Sequence, residues 1–154
     1  MIIKIYWLGK TKKDFVSIAN SEYLKRISGH TKIKIIELTD IKLTKAINID
    51  IVKAKEAEII RKAIKTEEYL IVLDERGDQF TSPEFAKFLD KQASKGTISF
   101  LIGGTYGLDK TIIDRADLIL SFSKMTFTHQ MIRIILLEQI YRSITIIKKK
   151  KYHY

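Results

Sequence analysis

The chain has no cysteine and only one proline in 154 residues. The first absence excludes disulfides, thiolate nucleophiles and cysteine-ligated zinc. Its three histidines, His30, His129 and His153, are too scattered for a metal-ligand set, so no metal is expected. No apolar run approaches the roughly 20 residues that span a bilayer, and the opening stretch 1–8 is too short for a secretion signal with its cleavage site. These absences lead to the expectation of a soluble, cytoplasmic protein. With a single proline, chain reversals fall to seven glycines. Most of them gather where apolar runs end: Gly9, Gly77, Gly103, Gly104 and Gly107.

What is present is positive charge. Twenty-eight Lys and Arg against 18 Asp and Glu leave a formal charge of +10, which favours a polyanionic partner because clustered cations release counterions from phosphates. Composition alone is a weak witness, since a chain rich in lysine and isoleucine can carry such a charge without any functional pressure.

Apolar runs of strand length alternate with segments of helical period, the pattern of one α/β domain over 1–154 with a mostly parallel sheet and helices on both faces. Strands are expected over 2–8, 34–38, 69–73, 98–102 and 118–121. Phe15, Ile18, Ala19, Tyr23, Leu24 and Ile27 form one helical face, and Ile51, Ala54, Ala57 or Glu58, Ile60 and Ile64 another. Ser82 reads as the cap of a third helix with Pro83 in its first turn and Phe85, Phe88 and Leu89 toward the sheet. The loop 39–50 is polar and basic. In open α/β sheets ligands bind beyond the carboxyl ends of the strands, so the glycine-marked strand ends are candidate walls of one site.

Five segments could carry chemistry. Gly103-Gly104-Thr105-Tyr106-Gly107 offers backbone N–H groups free of Cβ crowding; it is either a ligand cradle or a tight turn, and it lacks the Gly-Lys-Ser/Thr of a phosphate loop. Asp74-Glu75 reads better as two solvated acids in a turn, with Gly77 supplying a positive φ, than as a catalytic pair. The stretch Ser121-Phe122-Ser123-Lys124-Met125-Thr126-Phe127 can wrap a flat heterocycle or plug the core. The helix over about 129–146 is apolar nearly all round, so either the core surrounds it or a second subunit covers it, and a homodimer is the economical explanation. At its start, His129 is a base, or else a cap or packing residue; within it, Arg142 can pair with Glu138 four residues back. Lys148-Lys149-Lys150-Lys151-Tyr152-His153-Tyr154 either neutralises phosphates and stacks on bases or frays into solvent.

Taken together, Tyr23-Leu24-Lys25-Arg26, Leu73 to Gly77, Leu101 to Leu108, the 121–127 loop, His129, Arg133, Glu138 to Arg142 and Tyr152-His153 resemble the RlmH family, from the N-terminus to the tail. That family comprises SPOUT-superfamily methyltransferases acting on N3 of a pseudouridine in 23S ribosomal RNA. The resemblance implies a SPOUT fold with a C-terminal trefoil knot, and a homodimer in which the knotted regions meet. It implies S-adenosyl-L-methionine held by Leu73, Gly103, Phe122, Ser123, Lys124, Met125, Thr126 and Phe127, with the Lys124 ammonium turned away from the donor's positive sulfur. On the substrate side it implies His153, Tyr152, Arg142 and His129 as catalytic candidates, and ribosomal RNA, free or within the large subunit, as partner. A non-catalytic RNA-binding relative, or a SPOUT enzyme acting on transfer RNA, are the alternatives.

Overall fold

The computed structural model describes residues 1–94 and 96–152. Five strands, β1 (Ile2–Leu8), β2 (Lys32–Leu38), β3 (Tyr69–Gln79), β4 (Thr97–Ile102) and β5 (Leu118–Ser121), pair in the order β2-β1-β4-β3-β5, every pair parallel. Parallel strands carry helices on both faces, which is why their sequences run almost continuously apolar. On one face lie α1 (Asp14–Ser28), α3 (Ser82–Ala93) and α5 (Met131–Ile147), over a core of Ile3, Ile5, Phe85, Phe100 and Leu136. On the other lie α2 (Ile49–Ala63) and α4 (Lys110–Arg115), over Tyr6, Leu8, Ile60, Val72 and Leu101. No helix among the described residues is long and apolar enough to cross a membrane.

Several local expectations need correction. The buried side of α1 is Val16, Asn20 and Ile27, with Tyr23 and Leu24 packed beside them, whereas Phe15 and Ile18 stand 57% and 71% exposed. Helical spacing allowed either stripe; the position of α5 selects the one that packs. On α2 the buried stripe starts at Val52 and leaves Ile51 exposed. The loop before it is shaped by a bridge between Thr44 and Ile47 and ends at Asn48, whose side chain accepts from the Ile51 N–H. The cap of α3 is Thr81 rather than Ser82: its hydroxyl accepts from the Glu84 N–H, and the Glu84 carboxylate accepts from the Thr81 N–H, a closed capping box.

Strand β3 departs most from expectation. It runs on to Gln79, and both Leu73 and Asp78 face Leu120 of β5, so residues 74–77 bulge out of the ladder. Gly77 has no positive φ. Glycine is required there because a Cβ would lie 2.5 Å from the Ile119 carbonyl oxygen.

Helix α5 packs between α1 and α3, and Leu136, Leu137, Ile140 and Ile144 are buried within this one chain. Its apolar girth is thus met mainly by the protein's own core.

At the opposite end of the sheet from the strand termini, Lys4, Tyr6 and Ser99 all donate to the buried Glu68 carboxylate. Burial opposes the charge, but these bonds override it and hold the carboxyl below its ordinary value of 4.5. A carboxyl depressed by folding stabilises the native state above its unfolded value, and that stability is lost as pH falls through the folded value. The unfolding free energy should therefore decline below about pH 4.5. Glu68→Gln should flatten that decline and cost about 2 kcal/mol at neutral pH in urea melts.

Candidate active site

Beyond the carboxyl ends of β3, β4 and β5 opens a cavity of about 730 Å³, a size suited to a nucleoside-like molecule. One wall is the β3 bulge, from Leu73 to Arg76; a second is the glycine turn after β4; the third is the loop after β5 with Ile132 of α5. Of the residues expected to hold a donor, Leu73, Gly103, Phe122, Ser123, Met125, Thr126 and Phe127 line it, whereas exposed Lys124 does not.

Each wall has a local cause. The loop after β5 is shaped by its hydroxyls: Ser121 donates to the Ser123 carbonyl at 2.9 Å, and the Ser123 hydroxyl accepts from the Met125 N–H at 2.9 Å. Phe122 serves both readings made of it, meeting Phe85 edge-on at 6.2 Å while its flank borders the cavity. In the glycine turn, Gly107 has φ +77°, a conformation other residues resist. At Gly103 the constraint is different from a blocked ligand approach, since a Cβ would meet the Leu108 side chain at 2.9 Å. In the bulge, Asp74 accepts two bonds of 2.9 Å from the Arg76 guanidinium, which holds its carboxyl below the usual range despite partial burial. Asp74 is therefore a half-buried, ion-paired group and neither a free base nor a solvated acid.

The turn reaches a second feature through Gly104. Buried Glu56 lies against it, accepts the Ile41 N–H at 3.1 Å, and is pushed up in pKa by burial. Lys53 of the same helix also lines the cavity. Its sequence context, one lysine among many, carried no signal for that position.

A profile described as "Predicted SPOUT methyltransferase" matches residues 1–153. The chain belongs to the SPOUT methyltransferase family. Over 153 residues, 99% of both chains, this methyltransferase is 47% identical to a protein of Caldicellulosiruptor saccharolyticus named "Ribosomal RNA large subunit methyltransferase H". Proteins of the same name from Halothermothrix orenii and Geobacter sulfurreducens are 43% and 40% identical, over 99% and 100% of both chains. The chain is thus an enzyme that transfers methyl groups, grouped by its whole length with the RlmH proteins.

Of the four expected catalytic residues of this methyltransferase, His129 stands apart from Arg142 and Tyr152 within one chain. His129 lines the cavity just before α5, where Gln130 is the cap residue without a side-chain cap bond and the Thr128 hydroxyl accepts from the Met131 N–H at 3.2 Å. Burial, then the neighbouring charge of Arg133, lowers the His129 pKa below its ordinary 6.5. Its titration by NMR should accordingly give a midpoint under 6.5, and Arg133→Met should move it upward. Arg142 lies 11 residues beyond Met131, about 16 Å along the helix axis. It is paired with Glu138 at 2.6 Å and 2.9 Å, and its guanidinium sits 4.9 Å from the Tyr152 ring centre. Tyr152 in turn packs edge-on against Tyr141 at 4.8 Å. At the start of this tail, Lys148 reaches His30, two residues before β2, so the tail leaves α5 at the starting end of the strands. Strands of six or seven residues separate that end from the cavity by about 20 Å. His153 lies outside the described residues.

Arg133 was quoted among the family-like residues but given no role of its own. It is fully buried, donates to the carbonyls of Leu8 and Gly9 at 2.9 Å and 3.0 Å and to the Thr11 hydroxyl at 3.0 Å, and lies 4.6 Å from the Trp7 ring centre. Burial pulls its pKa down to about 10, so it is still charged at neutral pH. One arginine in the first turn of an otherwise apolar helix was the available sequence signal for such an anchor.

Proposed function

We propose that this enzyme transfers the methyl group of S-adenosyl-L-methionine to N3 of a pseudouridine in large-subunit (23S) ribosomal RNA, in the cytoplasm, as a homodimer. The observation that carries this reading is a cavity of about 730 Å³ at the strand ends of a chain 40–47% identical, end to end, to large-subunit methyltransferases. Membership of the SPOUT family also supports a C-terminal third threaded as a trefoil knot.

The residues present fit such a donor. The turn at Gly103 and Gly104 brings backbone without side chains to the cavity edge, Phe122, Met125 and Phe127 supply apolar walls, and Lys124 stays off the lining. S-adenosyl-L-methionine, when bound, supplies an electrophilic methyl group. What the chain must add is alignment of the acceptor nitrogen and removal of its proton. His129, held neutral at pH 7 on the cavity wall, is placed to accept a proton. Tyr152, Arg142 and His153 would hold the extruded base, since rings and a guanidinium plane suit an unpaired RNA base.

Because a tail leaving α5 about 20 Å from its own cavity is poorly placed to serve it, the base-holding group is best supplied by the second copy. Exposed Phe15, Ile18 and Met131 in the first turns of α1 and α5 support an apolar dimer contact.

Mass mapping of ribosomal RNA from cells lacking the protein tests the reading: one pseudouridine should lose one methyl group, restored by the purified enzyme. An unchanged large-subunit map, or a change confined to transfer RNA, would overturn it. Titration calorimetry with S-adenosylmethionine separates this enzyme from a non-catalytic RNA binder, for which a folded dimer would release no binding heat.

A further inference from the structure

Two loops that the cavity does not use lie at the same end of the sheet. The first, residues 9–13 after β1, carries Lys10, Lys12 and Lys13; the second, residues 39–48 after β2, carries Lys42 and Lys45. All five lysines are exposed, and none forms an ion pair among the described residues. Other exposed lysines, Lys62, Lys65 and Lys91 among them, are likewise unpaired, so what distinguishes these five is their place beside the cavity. Within the two loops the one acid is Asp40, which packs against Gly9.

The first loop is also held firmly. Gln130, itself buried, accepts the Lys12 N–H and donates to the Lys10 carbonyl, both at 3.2 Å. Arg133 takes the Leu8 and Gly9 carbonyls and the Thr11 hydroxyl. Five bonds from the first turn of α5 thus fix the backbone that carries three lysines, while their ammonium groups remain in solvent. Neighbouring His129 and Ile132 face the donor cavity, so one short segment sets both the cavity wall and the lysine loop.

Strand order supplies the spacing. β1 and β2 lie one and two positions from β4, which ends in the glycine turn, so their loops stand about 5 Å and 10 Å to the side of the cavity. Leu8, Asp40 and Ile41 share a small recess with Gly104, Tyr106 and His129, which joins the two regions directly.

We propose that the lysine loops after β1 and β2 form the surface that grips RNA phosphates beside the target nucleotide, resting on the reading above that the substrate is RNA. A first loop whose backbone is already fixed spares that part of the ordering cost when its lysines meet phosphates, and phosphate contacts set register without reading sequence. The tail then holds the base and these loops hold the backbone.

The test compares two triple variants with wild type on 23S ribosomal RNA across a salt series. Lys10→Gln/Lys12→Gln/Lys13→Gln removes the fixed loop's charges. Lys62→Gln/Lys65→Gln/Lys91→Gln removes the same charge from exposed sites near the other end of the sheet. The loop variant should raise the RNA KM at least tenfold and reduce the salt slope of log K by about 2, three contacts at ~0.7 each for single strands. Its kcat and its calorimetric Kd for S-adenosylmethionine should match wild type, and the second variant should keep the wild-type slope. Equal slopes in the loop variant and wild type, or equal losses in both variants, would overturn the proposal while leaving the methyltransferase reading intact. Wild-type enzyme that binds S-adenosylmethionine but neither binds nor methylates 23S RNA would overturn that reading, and the loop assignment with it.

Discussion

Gly77→Ala should destabilise the enzyme by about 3 kcal/mol and weaken S-adenosylmethionine binding at least tenfold. A Cβ at this position would lie 2.5 Å and 2.6 Å from the Ile119 carbonyl oxygen and carbon and 2.8 Å from the Leu120 nitrogen. All three are backbone atoms of β5, so no side chain can swing aside. Relief requires β5 to move away from β3, which disturbs the pairings of Leu73 and Asp78 with Leu120 and of Gln79 with Ser121. These residues support two of the three cavity walls, so stability and donor affinity should fall together. Gly29→Ala is the control: Gly29 is in right-handed helical conformation, and its nearest neighbour would be the Arg26 carbonyl at 3.9 Å. That change should be neutral or slightly stabilising, because alanine restricts the unfolded chain. Urea melts and calorimetry measure both effects, and a Gly77→Ala protein with wild-type midpoint and Kd would refute the account of the bulge.

Deleting residues 152–154 should lower RNA methylation by about 100-fold or more and leave the Kd for S-adenosylmethionine within about twofold of wild type. Tyr152 packs on Tyr141 and Arg142 in the second half of α5, remote from its own cavity. If a second copy supplies the tail, two different defects should complement each other. Thr126→Trp fills the cavity from an exposed loop position and should be inactive alone. Mixed with the tail-less chain it should restore about a quarter of wild-type activity, since random pairing makes half the dimers mixed, each with one competent site. No recovery in a demonstrated mixed dimer would rule out a tail working across the dimer. Equal loss of methylation and donor affinity in the deletion would make the tail structural.

The parts of this protein legible from one-dimensional pattern share a physical basis. Runs such as Tyr69 to Leu73 or Thr97 to Ile102 are apolar on both faces because helices cover both sides of a parallel sheet, and their core positions follow directly. The glycine turn after β4 and the hydroxyl-rich loop after β5 were visible because close backbone approach and local side-chain bonds demand particular residue types. Where the pattern misled, a choice between equivalent surfaces had to be made elsewhere. Phe15 and Ile18 fit an apolar stripe with Ile27 as well as Val16 does, and only the packing of α5 on α1 decides between them. Gly77 looked like a turn glycine because sequence shows that a side chain is missing but not which atoms fill its place.

Strand identities and the wall-forming loops follow from local spacing and from residue types that few structures tolerate, and the family from motifs that resemble its own along the whole chain. What tertiary structure decided was adjacency. It set Arg133 and Gln130 against a lysine loop more than 115 positions away in sequence and packed α5 between the chain's own helices. It also sent Tyr152 and Arg142 away from the cavity that holds His129. Separation along a chain constrains contact only through loop closure, which varies weakly with length, so residues at these distances carry almost no mark of their partners until the sheet order brings them together.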